Sequence, residues 1–441
     1  MLGSRFQTIS VIGLGYVGLP TAALFASKGI RVLGVDIDSE VVDTVSSGRI
    51  HLAEPDLAGL VKQVVTDGLL SASTRVEPAD AFIIAVPTPL KGTQPDVSFV
   101  EKAACDIAPV LRSGNVVIIE STCPVGTTEA VTELMAGLRP DLCFPPSTGK
   151  QEDIHVAYCP ERVLPGRILT ELVQNERSIG GLSRCCTELA AEMYGVFLTS
   201  RCFKTTARTA EMVKLVENAF RDVNIAFANE LSLVCDRLGM DVWEVIALAN
   251  RHPRVNVLQP GPGVGGHCIA LDPWFIIQAA PEISPLMRTA RYVNESKPNW
   301  VIEKVRVAAQ QRPRSTIACF GLAYKADVND LRESPALHIV EQLATEFPDR
   351  VIVIEPFIST MPAALTRAGA HFASLRTALE SAEIIVLLVD HSQFRSIDRN
   401  LLMGKIVIDT RGIWRSLPGS DALASFPLHA RAKESRLEEV D

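Results

Sequence analysis

The 441-residue chain lacks several features that define large protein classes. No apolar run reaches the roughly 20 residues that cross a bilayer. Its ten cysteines form neither a paired disulfide framework nor a CxxC metal spacing. No apolar segment with a cleavage site follows Met1. The sequence therefore predicts a cytoplasmic protein with reduced thiols, no membrane span and no metal site.

An excess of basic charge is also missing. The net charge is −8 and the pI is about 5.6, which argues against a broad nucleic-acid surface. With 47% hydrophobic residues the chain has ample material for buried cores. Its length exceeds what one core usually supports, so we expect two or three domains.

The first forty residues predict a dinucleotide site. Thr8–Ile12 reads as a buried strand that runs into the turn Gly13–Gly18, and a helical stretch, Leu19–Lys28, follows. A second strand, Arg31–Val35, ends at Asp36. Glycines allow close approach to a pyrophosphate, and an acid there accepts bonds from ribose hydroxyls. The carboxylate repels a 2′-phosphate, so NAD is predicted as cofactor rather than NADP. The expected cofactor residues here are Gly13, Gly15, Tyr16, Val17, Gly18 and Asp36.

Two further strand-like runs, 81–86 and 116–120, each close on a polar loop. Ligands lie at the carboxyl ends of parallel strands. We therefore expect Thr88 and Thr122, one in each loop, to border the nicotinamide. Simple turn chemistry is the alternative for both loops.

The pattern changes to long helical periodicity from Thr205 to about Ala249. Lys214, Asn218 and Arg221 are spaced four and three residues apart, which places them along one stripe of a helix. Such a helix usually joins two lobes, although a solvated polar face would show the same spacing.

Strand and helix alternate again after residue 306, with strand runs at 316–320, 350–354, 382–389 and 405–408. No complete GxGxxG is present there, so this part is not expected to hold a second dinucleotide. The predicted fold is α/β, with two doubly wound Rossmann-like domains joined by a central helical region. The expected limits are 1–203, 204–305 and 306–418, followed by a tail at 419–441.

A thiol follows a glycine turn in Gly265-Gly266-His267-Cys268. We expect this turn to be flexible. A thiolate adds to an aldehyde, and the adduct can lose a second hydride to give a thioester that water hydrolyses. The pattern thus suggests oxidation of an alcohol to a carboxylate, whereas a buried structural thiol is the alternative.

Taken together, these motifs resemble the nucleotide-sugar 6-dehydrogenases, the family that includes UDP-glucose and GDP-mannose dehydrogenases. The resemblance extends from about Thr8 to Trp414. It rests on the ordered motifs VIGLGYVGLP (11–20), VPTP (86–89), EST (120–122), CPER (159–162), EMVKL (211–215) with Asn218, GGHC (265–268) with Asp272, and GLAYK (321–325) with RESP (332–335).

The strings AYCPERVLPG (157–166) and GHCIALDPW (266–274) are similar to the branch that oxidises N-acetylated sugars. The resemblance implies four-electron, NAD-dependent oxidation of C6 of UDP-N-acetyl-D-mannosamine to the uronate, for enterobacterial common antigen. UDP-N-acetyl-D-glucosamine is the alternative substrate. The family resemblance also implies a homodimer.

The resemblance further implies roles for individual residues. Cys268 would be the nucleophile, Lys214 and Asn218 would stabilise the oxyanion, and Asp272 and Thr122 would activate water. Glu161 would act as a base or bind the sugar. The expected substrate-binding residues are Glu161, Arg162, Val163, Lys214, Asn218, Arg221, Arg251, Arg254, Gly265, His267, Lys325 and Arg332.

Some of these roles stay open. Arg251 or Arg254 would reach a neighbouring subunit, and Lys325 and Arg332 suit a diphosphate or a sugar hydroxyl. Pro165 stands where the glucose enzymes have a second glutamate, which excludes a general base at that position. Leu271 stands where they have a lysine, so the choice of the water-activating residue stays open. His267 replaces a smaller residue and could tune the thiol, contact substrate or pack the turn.

Two other functions remain at this point. In a two-electron hydroxyacid-type dehydrogenase Cys268 would be structural, and one NADH per substrate would form. In a silent NAD-binding scaffold no turnover would occur, although Cys268, Lys214 and Asp272 speak against it.

Overall fold

The structure, a computed structural model, describes residues 5–52, 54, 56–147, 151–163, 166–266 and 268–415. It divides into two units. The first comprises Met1–Asn218 and Leu271–Ser284, and the second comprises Ala219–Ala270 and Pro285–Asp441. Each unit is thus built from two separate segments of the chain.

The first unit contains an eight-stranded sheet of order β10-β9-β8-β7-β4-β1-β2-β3. All neighbours pair in parallel except β8 and β9, which are antiparallel. A small antiparallel pair, β5 and β6, stands apart. The strands are β1 (Thr8–Ile12), β2 (Arg31–Val35), β3 (Leu70–Ser73), β4 (Ala81–Ile84), β5 (Leu90–Lys91), β6 (Gln94–Pro95), β7 (Val116–Ile119), β8 (His155–Tyr158), β9 (Arg177–Gly181) and β10 (Cys202–Thr206).

Helices cover both faces of this sheet. The strands have apolar side chains on both faces, and both faces are therefore buried. Val11 and Ile83 belong to one buried cluster, and Ile12 and Ile84 belong to the other. Continuous apolar strands of this kind are typical of doubly wound sheets. The helices are α1 (Gly18–Ser27), α2 (Ser39–Ser46), α3 (Leu57–Thr66), α4 (Ser98–Ile107), α5 (Thr127–Leu138), α6 (Ile168–Gln174) and α7 (Arg184–Tyr194), with a 3₁₀ turn at Ala108–Val110.

Four helices follow: α8 (Ala207–Leu238), α9 (Val242–Ala249), α10 (Asp272–Ala279) and α11 (Pro285–Gln311). The helical periodicity predicted from Thr205 to about Ala249 corresponds to two helices, α8 and α9, rather than to one. Gly239 has a φ of 68°, which ends α8, and the Asp241 side chain caps α9 by accepting from the Trp243 N–H. The sequence analysis also missed the 27-residue helix α11.

The second unit contains a five-stranded parallel sheet of order β13-β12-β11-β14-β15. Two buried clusters lie on its two faces, as in the first sheet. Its elements are β11 (Thr316–Phe320), α12 (Pro335–Glu346), β12 (Val351–Ile354), α13 (Ala363–Arg367), β13 (His371–Phe372), α14 (Leu375–Ser381), β14 (Ala382–Leu387), α15 (Ser392–Arg395) and β15 (Ile406–Asp409), with a 3₁₀ turn at Arg399–Leu402.

The predicted class, α/β with two Rossmann-like sheets, is confirmed. The predicted tail at 419–441 lies outside the described residues. None of the helices in the described part of the chain is long and apolar enough to cross a membrane.

Candidate active site

The glycine turn between β1 and α1 is shaped by three glycines for different reasons. Gly13 lies at a φ of 95°, and a Cβ there would be 2.6 Å from the Ala85 carbonyl oxygen. A Cβ on Gly18 would be 1.8 Å from the carbonyl oxygen of Gly13. At Gly15 a Cβ would meet no protein atom within 4 Å. Packing does not require this glycine, and that is expected where the backbone approaches a pyrophosphate.

Asp36 follows β2 and bonds to this turn. Its Oδ2 accepts from the backbone N–H of Leu14 at 2.8 Å, and its Oδ1 accepts from the N–H of Asp38 at 3.0 Å. Each carboxylate oxygen keeps a second lone pair, so Asp36 can still accept bonds from ribose hydroxyls. Tyr16 and Val17 are half-buried beside it. These residues fit an NAD molecule bound through its adenosine ribose and pyrophosphate.

The two loops predicted to border the nicotinamide meet in the structure. The Thr88 hydroxyl donates to the carbonyl oxygen of Thr122 at 2.6 Å, and the Ser121 hydroxyl donates to the Val86 carbonyl at 2.7 Å. The loops follow the neighbouring strands β4 and β7, and β4 lies next to β1. They therefore form a hydrogen-bonded rim at the same sheet edge as the glycine turn.

A buried ionic cluster that the sequence analysis missed lies beside Glu161. Arg177, the first residue of β9, is 3% exposed and forms ion pairs with Glu161 at 2.5 Å and Glu120 at 3.4 Å. Its guanidinium lies 4.6 Å from the centroid of the Tyr194 ring, whose hydroxyl donates to Glu120 at 2.6 Å. Burial outweighs these partners and raises the pKa of Glu120 to about 7.

This cluster bears on the role predicted for Glu161. Its carboxylate pairs with Arg177 and also accepts from the N–H of Arg162 at 2.7 Å. Its backbone carbonyl oxygen accepts from the Lys214 ammonium at 2.8 Å. Glu161 is thus engaged by an ion pair within the protein, which is the alternative to the predicted role as base or sugar ligand. Its contact with the ammonium is made by the backbone.

Lys214, Asn218 and Asp272 form the second group of predicted residues that the structure brings together. Lys214 and Asn218 lie one turn apart on α8, and the Asn218 amide donates to the Asp272 carboxylate at 2.5 Å. Asp272 begins α10 and is 2% exposed. Burial raises the pKa of Asp272 to about 6, while the Lys214 charge and the Asn218 bond act in the opposite direction. The group therefore combines a cation, an amide and a carboxyl that titrates near neutrality.

Glu211, in the same EMVKL motif, has a structural position instead. Its buried carboxylate accepts from the N–H of Gly126 at 2.7 Å and from the N–H and hydroxyl of Thr128 at 2.8 and 2.6 Å. It thereby satisfies free donors at the start of α5. Burial raises the pKa of Glu211 despite these bonds. The motif thus fixes α8 to α5.

The remaining predicted substrate residues have other surroundings within their own units. Arg162 is half-buried and forms an ion pair with Glu217 at 3.0 Å, and Val163 is also half-buried. The Arg332 guanidinium bonds to Asp330. Four basic residues are exposed: Arg221, Arg251, Arg254 and Lys325. His267, Leu164 and Pro165 lie outside the described residues.

Cys268 belongs to the second unit, where its side chain is exposed. A Cβ on Gly265 would lie 2.5 Å from the Glu333 carbonyl oxygen, and one on Gly266 would lie 2.9 Å from the Tyr324 ring. A side chain at either position would therefore clash with its surroundings. These glycines are required because the turn packs closely against the loop that follows β11.

The loop before Cys268 is fixed to α8 at Gly261. Its N–H donates to the Asn229 side-chain oxygen at 2.9 Å. Pro260 and Pro262 have no N–H, so Gly261 supplies the single backbone donor of this tripeptide. The Asn229 amide nitrogen in turn donates to Asn294 Oδ1 at 2.9 Å. The oxygen of this buried amide thus holds the loop, and its nitrogen bonds to α11.

Asn294 continues this network to a buried ion pair. Its amide donates to Asp222 Oδ1 at 2.8 Å, and Arg291 donates to the same oxygen at 2.7 Å. Burial raises the pKa of Asp222, and Arg291 opposes that shift. The polar residues at 222 and 229, seven apart on α8, are the sequence signal that could have shown this buried face.

Comparison with known proteins identifies the family of this chain. The chain matches three models of the UDP-glucose/GDP-mannose dehydrogenase family: the NAD binding domain over residues 7–198, the central domain over 208–296 and the UDP binding domain over 318–416. The fold and site thus define an NAD-dependent dehydrogenase. The chain belongs to the UDP-glucose/GDP-mannose dehydrogenase family. The predicted cofactor, NAD, is confirmed by this match.

Individual relatives agree with this assignment. A protein of Escherichia coli (strain K12) named UDP-N-acetyl-D-mannosamine dehydrogenase is 54% identical, over 93% of this chain and 100% of its own length. A protein of Ralstonia nicotianae named NDP-N-acetyl-D-galactosaminuronic acid dehydrogenase is 57% identical, over 93% and 96%. A solved UDP-D-ManNAc dehydrogenase from Pyrococcus horikoshii is 41% identical, with a TM-score of 0.84, over 93% and 97%.

Proposed function

We propose that this dehydrogenase oxidises C6 of UDP-N-acetyl-D-mannosamine to the carboxylate, giving UDP-N-acetyl-D-mannosaminuronate. The relative named for this sugar in Escherichia coli and the match to the family's UDP binding domain support the substrate. Bound NAD would accept a hydride in each of two oxidation steps. Four electrons leave the sugar, so two NADH form for each uronate.

The grouping of Lys214, Asn218 and Asp272 carries the mechanistic proposal. The alcohol at C6 would lose its hydroxyl proton to water and a hydride to bound NAD, which gives the aldehyde. The ammonium and the amide donate to the oxygen, whose negative charge grows in the alkoxide and tetrahedral states. They are preorganised for this, because Glu161 and Asp272 hold their nitrogens at 2.8 and 2.5 Å.

In the proposed second half, the Cys268 thiolate adds to the aldehyde carbon and forms a thiohemiacetal. Loss of a second hydride from that carbon gives a thioester. Water then attacks the thioester carbon, the C–S bond breaks, and the thiolate leaves. Asp272 would take the proton of this water, with Thr122 orienting it through a bridging water molecule.

The pKa of Asp272 gives this proposal a pH signature. With a pKa raised to about 6, the carboxyl is protonated at lower pH and cannot accept a proton. We therefore expect the rate of thioester hydrolysis to fall about tenfold per pH unit below this value. Asp272→Asn should remove this limb of the profile and accumulate the acyl-enzyme. A hydrolysis rate that stays constant from pH 7 to pH 5 contradicts the assignment.

Substitution of the thiol tests the covalent step. Cys268→Ser should bind substrate but lose net uronate formation, whereas Cys185→Ser, which changes another exposed thiol, should behave as wild type. Uronate formation at the wild-type rate by Cys268→Ser overturns the thioester route. One NADH per sugar points instead to a two-electron dehydrogenase.

A second sugar is favoured by one observation, the 57% identity to the relative named for N-acetyl-D-galactosaminuronic acid. UDP-N-acetyl-D-glucosamine, the alternative considered from sequence, is not favoured. A panel of the three N-acetylated UDP-sugars and UDP-glucose, with rate and NADH counted for each, decides between them. Faster turnover of the galactosamine sugar overturns the mannosamine assignment.

We also propose a homodimer that uses α8. Phe220, Phe227 and Val234 recur every seven residues on this helix and are 68%, 57% and 47% exposed. An apolar stripe at this spacing is suited to packing against a second helix. Light scattering after size exclusion should give twice the chain mass for wild type. Phe227→Asp should give the mass of one chain, and a wild type that runs as a monomer contradicts the proposal.

The remaining proposals follow from this assignment. An arginine after α9, Arg251 or Arg254, would reach the sugar of the partner subunit, since both are exposed in the single chain. The enzyme would work in the cytoplasm, where Cys268 stays reduced. It would supply uronic acid for a surface polysaccharide of the enterobacterial common antigen type.

A further inference from the structure

A compact cluster of three different ligand types lies in the first unit, away from the glycine turn. His155 is the first residue of β8, Glu152 lies three residues before it, and Cys186 lies in the first turn of α7. Because β8 runs parallel to β7, its start is at the sheet edge opposite the Thr122 loop. The mechanism proposed above uses none of these three residues.

The distances within this cluster suit a tetrahedral ion. His155 Nδ1 lies 3.6 Å from Glu152 Oε2, and the Cys186 sulfur lies 3.7 Å from the same oxygen. All three ligand atoms lie within 4.8 Å of one another. Zinc bonds of about 2.0–2.3 Å place neighbouring ligand atoms of a tetrahedron about 3.3–3.8 Å apart. Two of the three separations already match this geometry.

The histidine supplies a second, independent observation. His155 is 7% exposed, and its buried Nδ1 makes no hydrogen bond of normal length among the described residues, since the Glu152 Oε2 beside it lies 3.6 Å away. A buried nitrogen that makes no hydrogen bond is costly, and coordination to a metal would satisfy it.

Groups around the cluster are arranged to orient the ligands. The Ser183 hydroxyl donates to Glu152 Oε2 at 2.7 Å. The N–H of Val156 donates to the Cys186 sulfur at 3.3 Å. Hydrogen bonds of this kind hold metal ligands in place and stabilise a thiolate. A metal would withdraw the thiol proton, since a coordinating thiol is deprotonated.

We propose that Glu152, His155 and Cys186 bind one divalent transition-metal ion. Imidazole nitrogen, thiolate sulfur and a carboxylate oxygen are the donor set of Zn²⁺, with water as a fourth ligand. The ion would tie the start of β8 to the start of α7. The sequence-based expectation of no metal rested on the missing CxxC spacing, and here the third ligand lies 31 residues beyond the second.

The metal content of purified, tag-free protein is the first test. We expect about one zinc per chain in wild type by mass spectrometry, and in the matched control Cys185→Ser. Cys186→Ser and His155→Gln should lose it, and Ser183→Ala should bind about 10–100-fold more weakly. Wild-type protein that takes up no zinc from a micromolar solution overturns the proposal. So does content unchanged by Cys186→Ser.

Cobalt titration covers the case in which a variant does not fold. Metal-free protein carrying Cys268→Ser, which excludes the proposed nucleophile as a ligand, is titrated with Co²⁺. We expect thiolate-to-cobalt charge transfer in the near ultraviolet and visible bands typical of tetrahedral cobalt, saturating near one equivalent. Absence of both signals rejects the site.

Discussion

In both Rossmann-like sheets the first strand along the chain ends at a glycine of positive φ, 95° at Gly13 and 94° at Gly321. In each, the residue after the glycine donates its N–H to an acid at the end of the next strand. The acids are Asp36, at 2.8 Å, and Glu355, at 2.7 Å. The same local solution thus occurs twice in the chain.

The two turns differ in what surrounds the acid. Asp36 is half-buried, and the turn beside it contains Gly15, where a side chain would meet no protein atom within 4 Å. The side chain of Glu355 is fully buried, and its oxygens also contact His391 and the N–H of Phe357. The first turn keeps acceptor capacity for a ligand, whereas the second uses it within the protein. A Rossmann-like sheet therefore needs an open turn, and not only a glycine and an acid, to bind a dinucleotide.

Adding a Cβ at Gly13 or at Gly321 should cause the largest loss of stability. Gly13→Ala and Gly321→Ala should each lower the free energy of unfolding by about 3 kcal/mol. The loss combines the strain of a positive φ with the clash between the new Cβ and the end of the neighbouring strand. Gly29→Ala is the control, since its φ is 84° but no atom lies within 4 Å. It should cost about 1 kcal/mol. Urea denaturation measures these losses.

NADH binding then separates the two glycines. Gly13→Ala should lose NADH binding, and Gly321→Ala should keep it below the denaturation midpoint. Equal NADH affinity in the two variants contradicts the distinction between an open and a closed turn.

The loop that carries the Cys268 thiol belongs to the second unit. Asn229→Ala tests whether Asn229 holds this loop in position. The change leaves the Gly261 N–H and the Asn294 oxygen without partners, at a cost of about 2–3 kcal/mol. Asn224→Ala on the same helix is the control, because that amide donates to the carbonyl of Phe220 in its own helix. We expect the alkylation rate of Cys268 to change in Asn229→Ala alone. Identical rates in both variants contradict a positioning role for Asn229.

The closed turn should respond to acid. Burial tends to raise the pKa of Glu355, but bonds from His391 and from two backbone N–H groups lower it overall. A lowered carboxyl pKa contributes stability above the unfolded-state value, and this is lost as pH falls through the folded value. Glu355→Gln should therefore cost about 1–2 kcal/mol at pH 7 and less at pH 3. A loss that is equal at both pH values rejects this explanation.

The smallest predicted effect is on cofactor preference and comes from changing Asp36 beside the open turn. Asp36→Asn removes the charge that repels a 2′-phosphate, so the preference for NAD over NADP should fall about tenfold. Asp38→Asn, which changes the cap of α2 nearby, should leave the preference unchanged. Comparable use of both cofactors by wild type contradicts the role of Asp36.

Much of the fold could be predicted because its strands are continuous apolar runs. The predicted strands at 8–12, 31–35 and 316–320 have the observed limits. Strands β3 and β10 were missed because they are short or exposed, and their residues do not alternate clearly. Helix α11 was missed because Pro298 and several polar residues interrupt its apolar pattern.

The site was predictable where residues are close in sequence or belong to a family motif, such as Lys214 and Asn218. Arg177 and Asn229 were not, because their partners lie far away in sequence. Arg177 reaches Glu120, 57 residues earlier, and Asn229 reaches Asn294, 65 residues later. Such pairs depend on sheet order and helix packing, which a local pattern does not contain.

The segmented make-up of the first unit has a consequence for synthesis on the ribosome. Residues 1–218 emerge first, yet Leu271–Ser284 completes the unit. Until that segment leaves the exit tunnel, Asn218 has no Asp272 to bond, and the nascent unit lacks the apolar residues of α10. A nascent chain arrested at Ala270 should therefore be more protease-sensitive than one arrested some tens of residues beyond Ser284. Translation pauses over 219–270 would prolong that vulnerable interval.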